Sequence, residues 1–171
     1  MLVRRSELLL FADYLQFYLQ DDDESLGSLA DAWTPEAVDR CLAVAPGVVG
    51  VGTVRNMTVP VTVEIFDAEP PDPPLRPDQD QAAPDLVTQT LLEVQTGRIV
   101  VAGCTDYFPD AIRIPLPPGM WNVRASSFAL DTLRNNDLEG DDHYLVQLWP
   151  APTASRTQGN VPTVRVLKPR S

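Results

Sequence analysis

The sequence predicts an all-β protein: a two-layer antiparallel β-sandwich of about eight or nine strands with one short helix. Its 171 residues include 17 prolines and 9 glycines, a composition typical of many short elements joined by stiff connections. Apolar residues alternate with polar ones in several segments, as they do in strands with one buried face. Too few helical segments are present to connect parallel strands, which favours antiparallel sheets.

The whole chain, 1–171, is expected to form a single domain, because a chain of this length can bury one substantial core. Residues 68–85 combine prolines and acids without apolar periodicity, so we expect an extended, exposed loop that links two strands. Asp13 and Gln16 interrupt the first apolar segment, and no segment approaches the ~18 continuous apolar residues of a membrane span. We therefore expect no membrane insertion and a cytoplasmic location.

The first part of the chain should contain a strand, a loop and the helix. Residues 7–20 carry apolar side chains on both faces and are predicted to form one long strand, with a helix as the alternative. The acids at 21–24 repel one another and predict a loop. Thr34 can cap a helix in which Pro35 takes the first position. This helix is expected to end near the Pro-Gly pair at 46–47.

The middle of the chain predicts two strands followed by a hairpin. Residues 48–54 and 57–67 are the two strands. Pro60 lacks an amide hydrogen, so the second of them should lie at an edge, or its first part should extend beyond the ladder. Residues 86–93 and 98–103 flank a connection that contains a glycine, and they are predicted to pair as an antiparallel hairpin.

The last part of the chain predicts a second hairpin and two further strands. The sequence Pro-Pro-Gly at 117–119 separates the apolar alternation of 112–116 from that of 120–130, which predicts a hairpin between these segments. Alternation resumes at 144–148, and a short strand is expected at 164–166.

The chain is strongly acidic, with 24 acidic and 13 basic residues and a net charge of −11. Such a field repels nucleic acid and attracts basic partners, although solubility alone is an alternative explanation. Fifteen of the 24 acids lie in three predicted loops, at 21–24, 67–85 and 131–142. If these loops meet at a common rim of the sandwich, they form a negative patch that can steer a basic protein.

The last acidic loop resembles a metal site in its first half only. Asn135, Asp137, Glu139 and Gly140 imitate the start of a calcium-binding loop. The twelfth position of that loop requires a glutamate, and Val146 occupies it here. A calcium site formed by several acidic loops at one end of the sandwich stays as an alternative, but no cofactor is predicted.

Catalytic chemistry finds little support in the sequence. Cys41 and Cys104 lack the spacing of a zinc site or a redox pair and are expected to be free thiols. His143 next to Asp141 and Asp142 is compatible with an acid/base pair, but the chain has no recognisable nucleophile. Paired carboxylates for glycoside hydrolysis are the remaining enzymatic alternative. We predict a protein that is not an enzyme.

Four short motifs occur in an informative order. They are Tyr14-Leu15-Gln16-Phe17, Trp33-Thr34-Pro35-Glu36-Ala37, Leu116-Pro117-Pro118-Gly119 and Asp142-His143-Tyr144-Leu145-Val146. Together they resemble the competence protein J family, which implies the fold of that family and a role as a non-catalytic protein inhibitor of a DNA-entry nuclease. The proline-rich segment at 68–85 and the tail after Trp149 depart from the family pattern. Because the motifs are mostly core and turn positions, they indicate the fold more securely than the activity.

The resemblance and the charge pattern together predict a protein partner, with a nuclease as the candidate and no binding of nucleic acid. A row of carboxylates presents a charge similar to that of the phosphates that a nuclease receives. Tyr14, Tyr18 and Trp149 are candidates for aromatic anchors where they are exposed, with core packing as the alternative. An interaction protein with another partner, or a small-ligand binder, is the alternative function. The predicted partner-binding residues are Asp21, Asp22, Asp23, Glu24, Asp137, Glu139, Asp141 and Asp142.

Overall fold

The computed structural model describes residues 1–74, 76–78, 81–152 and 162–171, which form mostly strands and one short helix, α1 (Pro35–Asp39). The all-β prediction is confirmed, with eleven strands in the described residues. No helix in this part of the chain is long and apolar enough to cross a bilayer. The strands are β1 (Leu2–Phe11), β2 (Gln16–Asp21), β3 (Leu42–Ala45), β4 (Val48–Gly52), β5 (Thr58–Phe66), β6 (Leu86–Val94), β7 (Arg98–Gly103), β8 (Ile112–Pro115), β9 (Gly119–Phe128), β10 (His143–Pro150) and β11 (Arg165–Lys168).

The strands form two sheets. The first sheet has six strands in the order β1-β5-β10-β9-β6-β11, and the second has five in the order β3-β4-β2-β7-β8. The neighbouring strands are antiparallel except β5 and β10, which run parallel with Tyr144 opposite Val61. The prediction of purely antiparallel sheets is therefore wrong for the first sheet. Two strands so far apart in the sequence leave no local signal of their relative direction.

Apolar side chains from both sheets join in one buried cluster. Val59, Val61 and Val63 of β5 are almost fully buried at alternate positions, as the sequence pattern predicts. Phe17 of β2 and Tyr144 of β10 meet edge to face, with ring centroids 5.9 Å apart. Each such side chain stabilises the fold by about 1.5–3 kcal/mol relative to leaving it exposed.

The segment 7–20 is two strands in different sheets and not one long strand. β1 ends at Phe11, a 3-10 turn follows at Asp13–Leu15, and β2 begins at Gln16 in the second sheet. Tyr14 and Leu15 have left-handed backbones, with φ of 54° and 59°. The apolar pattern appears two-sided because its two halves face the core from opposite sheets.

The helix begins where the sequence predicts and ends earlier. The Thr34 hydroxyl accepts a hydrogen bond of 3.3 Å from the Ala37 amide, and Pro35 is the first helical residue. The chain then turns at Cys41, and β3 pairs with β4 through a tight turn that contains Gly47. The predicted end near 46–47 is wrong because the apolar residues of β3 bury more completely as a strand in the second sheet.

Both predicted hairpins cross between the sheets. β6 and β9 pair with each other in the first sheet, while β7 and β8 pair in the second. The connections 95–97 and 116–118 therefore link strands that do not pair. A short turn with glycine looks the same in the sequence whether the next strand returns beside the previous one or enters the facing sheet.

Pro60 does not mark an edge strand, because β5 lies second in the first sheet between β1 and β10. The pairing of β5 with β10 begins at Val61, one residue after Pro60. The alternative prediction, that the first part of this strand extends beyond a ladder, is correct for the pairing of β5 with β10. The last predicted strand forms as β11 and pairs with β6.

The pairing registers define two ends of the molecule. Four connections pass between the sheets, 12–15, 53–57, 95–97 and 116–118, and each joins corresponding ends of its two strands. We call one end the turn end; it contains the end of β2, the start of β1 and the short connections 46–47, 95–97 and 116–118. We call the other the loop end; it contains the connections 12–15, 53–57, 104–111 and 129–142.

Candidate functional site

The first acidic run lies at the turn end, and half of it is occupied by internal bonds. Asp21 is buried and accepts hydrogen bonds from the Thr96 amide (3.1 Å) and hydroxyl (2.7 Å). Asp22 forms ion pairs with Arg98 and with Arg113, the latter at 3.0 Å. These two carboxylates hold the end of β2 to the neighbouring connection and strands.

Hydrogen bonds lower the pKa of two acids in this run. Burial disfavours the charged form of Asp22, but hydrogen bonds from Arg113 and Arg98 outweigh this effect and lower the pKa of its carboxyl. Hydrogen bonds from the hydroxyl and amide of Ser25 lower the pKa of Asp23. Glu24 is exposed and forms no ion pair with any described residue.

The second acidic run lies at the loop end and is mostly exposed. Asp137, Glu139 and Asp141 face solvent, although Glu139 pairs with Arg134 at 3.2 Å. Asp142 is fully buried, 2.5 Å from the Nε atom of Arg55. It has a structural role, because its carboxylate also accepts a hydrogen bond of 2.8 Å from Tyr144.

The expectation that the acidic loops share a common rim is wrong. Residues 21–24 and Asp67 lie at the turn end, whereas 137–142 lie at the loop end. Asp80 lies outside the described residues. The calcium alternative needed these loops to converge, and the described residues contain no group of three His, Cys, Asp or Glu side chains placed to hold a metal ion.

His143 and Trp149 have structural environments. The His143 ring stacks on Phe128 with centroids 4.8 Å apart, and its Nδ1 atom lies 3.0 Å from the Asp141 carbonyl oxygen. Trp149 is buried, and the guanidinium of Arg124 lies 5.1 Å from its ring centroid. Trp149 is thus a packing residue, whereas Tyr14 is 73% exposed and remains a candidate anchor.

The four connections of the loop end touch one another in a row. The Cys104 thiol donates to the Asp13 carbonyl at 3.2 Å, which joins 104–111 to 12–15. The Ala12 amide donates to the Met57 carbonyl at 3.0 Å, which joins 12–15 to 53–57. Arg55 joins 53–57 to the last connection through Asp142. The loop end is therefore a continuous surface built from all four connections.

This surface carries both exposed apolar side chains and exposed carboxylates. A few interface residues, most often aromatic side chains and arginine, supply most of the binding free energy, and surrounding charges set the choice of partner. The exposed carboxylates include those of Asp106 and Asp110 in addition to the exposed members of the second acidic run. The exposed apolar residues are Phe11, Tyr14, Leu15, Met57, Tyr107 and Leu138.

Backbone strain is concentrated at the same end. In the described residues, each non-glycine residue with a left-handed backbone lies in or next to a loop-end connection. A left-handed backbone costs such residues about 1–2 kcal/mol, and strain of this kind is typical of functional loops. These residues are Tyr14, Leu15, Cys41, Ala129 and Asp137.

A groove of about 700 Å³ runs along the outer face of β2. Its floor includes Tyr18, which is flanked across the neighbouring strands by Gly50 and Ala102. Trp33 forms part of one wall and donates a hydrogen bond of 2.8 Å to Gln16. We call this the aromatic groove; its other wall comes from the connection 104–111 of the loop end.

Gly50 of β4 allows one wall of the aromatic groove to pack closely on the sheet. A Cβ atom at this position would lie 2.8 Å from Leu29 and 3.1 Å from Trp33, so a larger residue would displace these side chains. Burial, and then the nearby charges of Asp106 and Cys104, raise the pKa of Tyr18, so the phenol stays neutral at physiological pH.

Sequence reasoning missed Tyr107, the backbone strain at the loop end and the aromatic groove. Tyr107 follows an ordinary turn segment, and its side chain becomes notable only because it is 70% exposed beside the groove. The alternation of Val and Gly in β4 was an available signal, since a glycine in a strand often marks a close approach of another segment.

Two solved structures are similar to this chain. One is ComJ from Bacillus subtilis, an inhibitor of the DNA-degrading activity of NucA, with 15% identity, a TM-score of 0.59, and coverage of 88% of this chain and 98% of ComJ. The other is crocagin biosynthetic gene J, with 18% identity, a TM-score of 0.56, and coverage of 87% of this chain and 98% of the other. No family model matches the sequence, and no curated protein matches it. At such identities the likeness concerns the fold, and the fold implied by the sequence motifs is confirmed: this chain has a ComJ-like fold.

Proposed function

We propose that this protein is a single-domain β-sandwich that binds a nuclease through its loop end and inhibits it without any catalysis of its own. The observation that carries the proposal is the structural likeness, over almost its whole length, to ComJ, an inhibitor of the DNA-degrading activity of NucA. The fold alone does not select a function, so the proposal also depends on the surface of this chain.

The loop end supports this role through its chemistry. Tyr14 and Leu15 are exposed on a turn that hydrogen bonds tie to the two neighbouring connections, which limits the entropy lost when a partner orders them. Asp137 and Asp141 lie on the same continuous surface and attract a basic face. A nuclease must receive phosphates, so its substrate surface is basic or holds a divalent metal ion. Carboxylates displayed on a stable scaffold can occupy that surface without being cleaved.

The free thiols fit a cytoplasmic site of action, which we include in the proposal. Cys104 is exposed and Cys41 is half-buried, and neither forms a disulfide. The cytoplasm keeps such thiols reduced.

The proposal is tested by titrating the protein into plasmid digestions by NucA and by any nuclease encoded beside its gene. We expect at least one of these enzymes to be inhibited at near-stoichiometric amounts. The affinity should fall as salt rises from about 50 to 200 mM, because the attraction is electrostatic. Full digestion by every enzyme in the presence of excess protein contradicts the proposal.

A matched pair of double variants locates the interface. Asp137→Asn with Asp141→Asn removes two exposed carboxylates from the loop end, and we expect binding to weaken about tenfold or more. Glu69→Gln with Glu93→Gln removes two exposed carboxylates elsewhere and should change binding less than about twofold. Equal losses in both variants would mean that net charge, and not the loop end, determines the affinity.

A second candidate function is the binding of another partner or a small ligand. The aromatic groove favours it, since about 700 Å³ is within the range of ligand pockets. The similar structure from crocagin biosynthesis is named for a biosynthetic gene and not for inhibition of a nuclease. This candidate is favoured if no nuclease is inhibited but a ligand protects the groove.

A further inference from the structure

We infer that the aromatic groove is a binding site for an arginine side chain carried by the basic protein partner. The inference deepens the proposed function and rests on it for the identity of the partner. The groove reaches the loop end, where the connection 104–111 forms one of its walls and Gln16 lies in its floor, and it extends along β2 to Glu24. A partner seated on the loop end can therefore place a side chain in the groove.

The aromatic side chains that line the groove suit a guanidinium group, a cation that is planar and stacks on rings. Aromatic residues contribute from the floor and from both walls: Tyr18 below, Trp33 on one side, and Tyr107 and Phe108 on the other. A cation over an aromatic ring is attracted by the electron density of the ring face, and arginine is the more frequent cation in such contacts. The guanidinium also stacks on rings in a way that a lysine ammonium does not.

The charges around the groove favour a cation and not an anion. Glu24 lies in the lining and forms no ion pair with any described residue. Asp106 is close enough to raise the pKa of Tyr18, after the larger effect of burial. Arg113, whose guanidinium lies against the Phe108 ring, is already bound by Asp22 and by the carbonyls of 108, 109 and 111. The groove thus contains an unpaired carboxylate and no competing free cation among the described residues.

Two contacts between an arginine and an aromatic ring already occur within the described fold. The guanidinium carbon of Arg113 lies 5.3 Å from the Phe108 ring centroid, and that of Arg124 lies 5.1 Å from the Trp149 ring centroid. Both distances are in the range of a favourable cation–π contact. Tyr18, Trp33 and Tyr107 offer a similar environment, with no such cation placed against them in the described residues.

Cys104 lines the groove and is exposed, so its reaction with a thiol reagent reports occupancy. The experiment uses the full chain with Cys41→Ser, so that only this thiol reacts. The probes are N-acetyl-arginine amide and the neutral N-acetyl-citrulline amide, which has nearly the same shape. We expect arginine to slow the labelling at a concentration about tenfold or more below that needed for citrulline. Equal protection by the two probes, or none, overturns the inference.

Two exposed residues provide variants that leave the fold intact. Glu24→Gln should remove most of the preference for arginine over citrulline, whereas Tyr107→Ala should weaken both probes about fivefold. Glu93→Gln, which removes a carboxylate outside the groove, should change neither. If Glu24→Gln and Glu93→Gln behave alike, the charge of the groove does not select the ligand and the inference fails.

The same variants separate this inference from the proposed function. If a nuclease is inhibited equally by the wild type, Glu24→Gln and Tyr107→Ala, the groove inference fails and the inhibitor role stands. If the arginine probe binds but no nuclease is inhibited, the inhibitor role fails and the cation site stands. Protection by free arginine but not by its acetylated amide indicates a small metabolite and contradicts an arginine carried by a protein.

Discussion

The connections at the two ends of the molecule differ in which residues adopt left-handed backbone conformations. At the turn end, the left-handed positions described by the structure are glycines, Gly47, Gly97 and Gly119. At the loop end, left-handed positions are held by residues with side chains, including Tyr14 and Asp137. Glycine adopts this backbone without strain, whereas other residues do so at a cost.

The acidic residues at the two ends differ in their exposure and in their bonds to the rest of the chain. At the turn end, Asp21 and Asp22 are bonded to the chain itself, so the acidic run there joins connections and strands. At the loop end, Asp137 and Asp141 are exposed, and Asp142 alone in that run is buried. A dense acidic run in the sequence therefore has no fixed structural role. The partners that tertiary structure brings to each carboxylate decide whether it stabilises the fold or faces a partner.

The largest effect on stability is expected at Asp142, the buried acid of the loop end. Asp142→Ala leaves Arg55 without its partner in a buried site, and we expect the free energy of unfolding to fall by about 3–5 kcal/mol. Asp137→Ala in the same loop should cost less than about 1 kcal/mol. Denaturant unfolding measures both. Similar losses would contradict the division of this loop into a buried and an exposed part.

The next effect is expected from Asp21 at the turn end. Asp21→Ala removes a carboxylate that accepts two hydrogen bonds from Thr96, and we expect a loss of about 2 kcal/mol. Binding of a nuclease should be unchanged when it is measured well below the melting temperature. A variant that keeps full stability but loses binding would move the interface to the turn end.

The pH dependence of stability tests the ion pairs of Asp22. Because the folded pKa of this carboxyl lies below its unfolded value, its contribution is complete above the unfolded pKa and is lost as the pH falls through the folded one. Stability should therefore decrease below about pH 4. Asp22→Asn should make this decrease shallower, while Asp131→Asn, an exposed acid of the loop end, should leave it as in the wild type. Thermal melts of the wild type and both variants between about pH 2.5 and 6, a range that spans the usual pKa of aspartate, measure this dependence.

The smallest effect on stability is expected at Tyr14, where the effect on binding should be large. Tyr14→Gly relieves the left-handed strain but adds flexibility to the unfolded chain, so stability should rise by no more than about 1 kcal/mol. Loss of the exposed ring should weaken nuclease binding about tenfold. Unchanged binding would exclude Tyr14 as an anchor and would leave the loop-end carboxylates as the main determinants.

Local signals in the sequence predicted several elements correctly. The helix start follows from Thr34 and Pro35, and the strand at β5 follows from its valine alternation, because both depend on contacts within a few residues. The turns at 95–97 and 116–118 were located but misassigned as hairpins. Their direction depends on which sheet the next strand joins, and that is set by long-range packing of apolar faces.

The candidate site was predicted in part. The sequence identified the exposed acids of the loop end and Tyr14, since their residue types are typical of interfaces. It also included Asp21 and Asp142, whose burial depends on Thr96 and Arg55, partners distant in the sequence. The aromatic groove was not predicted because its lining comes from three separate segments of the chain.

The strand-rich class, the acidic character, the helix cap and the motifs that indicate a ComJ-like fold can all be read from the chain before it folds. These properties follow from residue type and short-range spacing. The parallel pairing of β5 with β10, the placement of the acidic runs at opposite ends and the formation of the aromatic groove arise only from long-range packing. Each of these depends on which distant strands bury their apolar faces together, and the free energy of that burial belongs to the whole fold and not to any one segment.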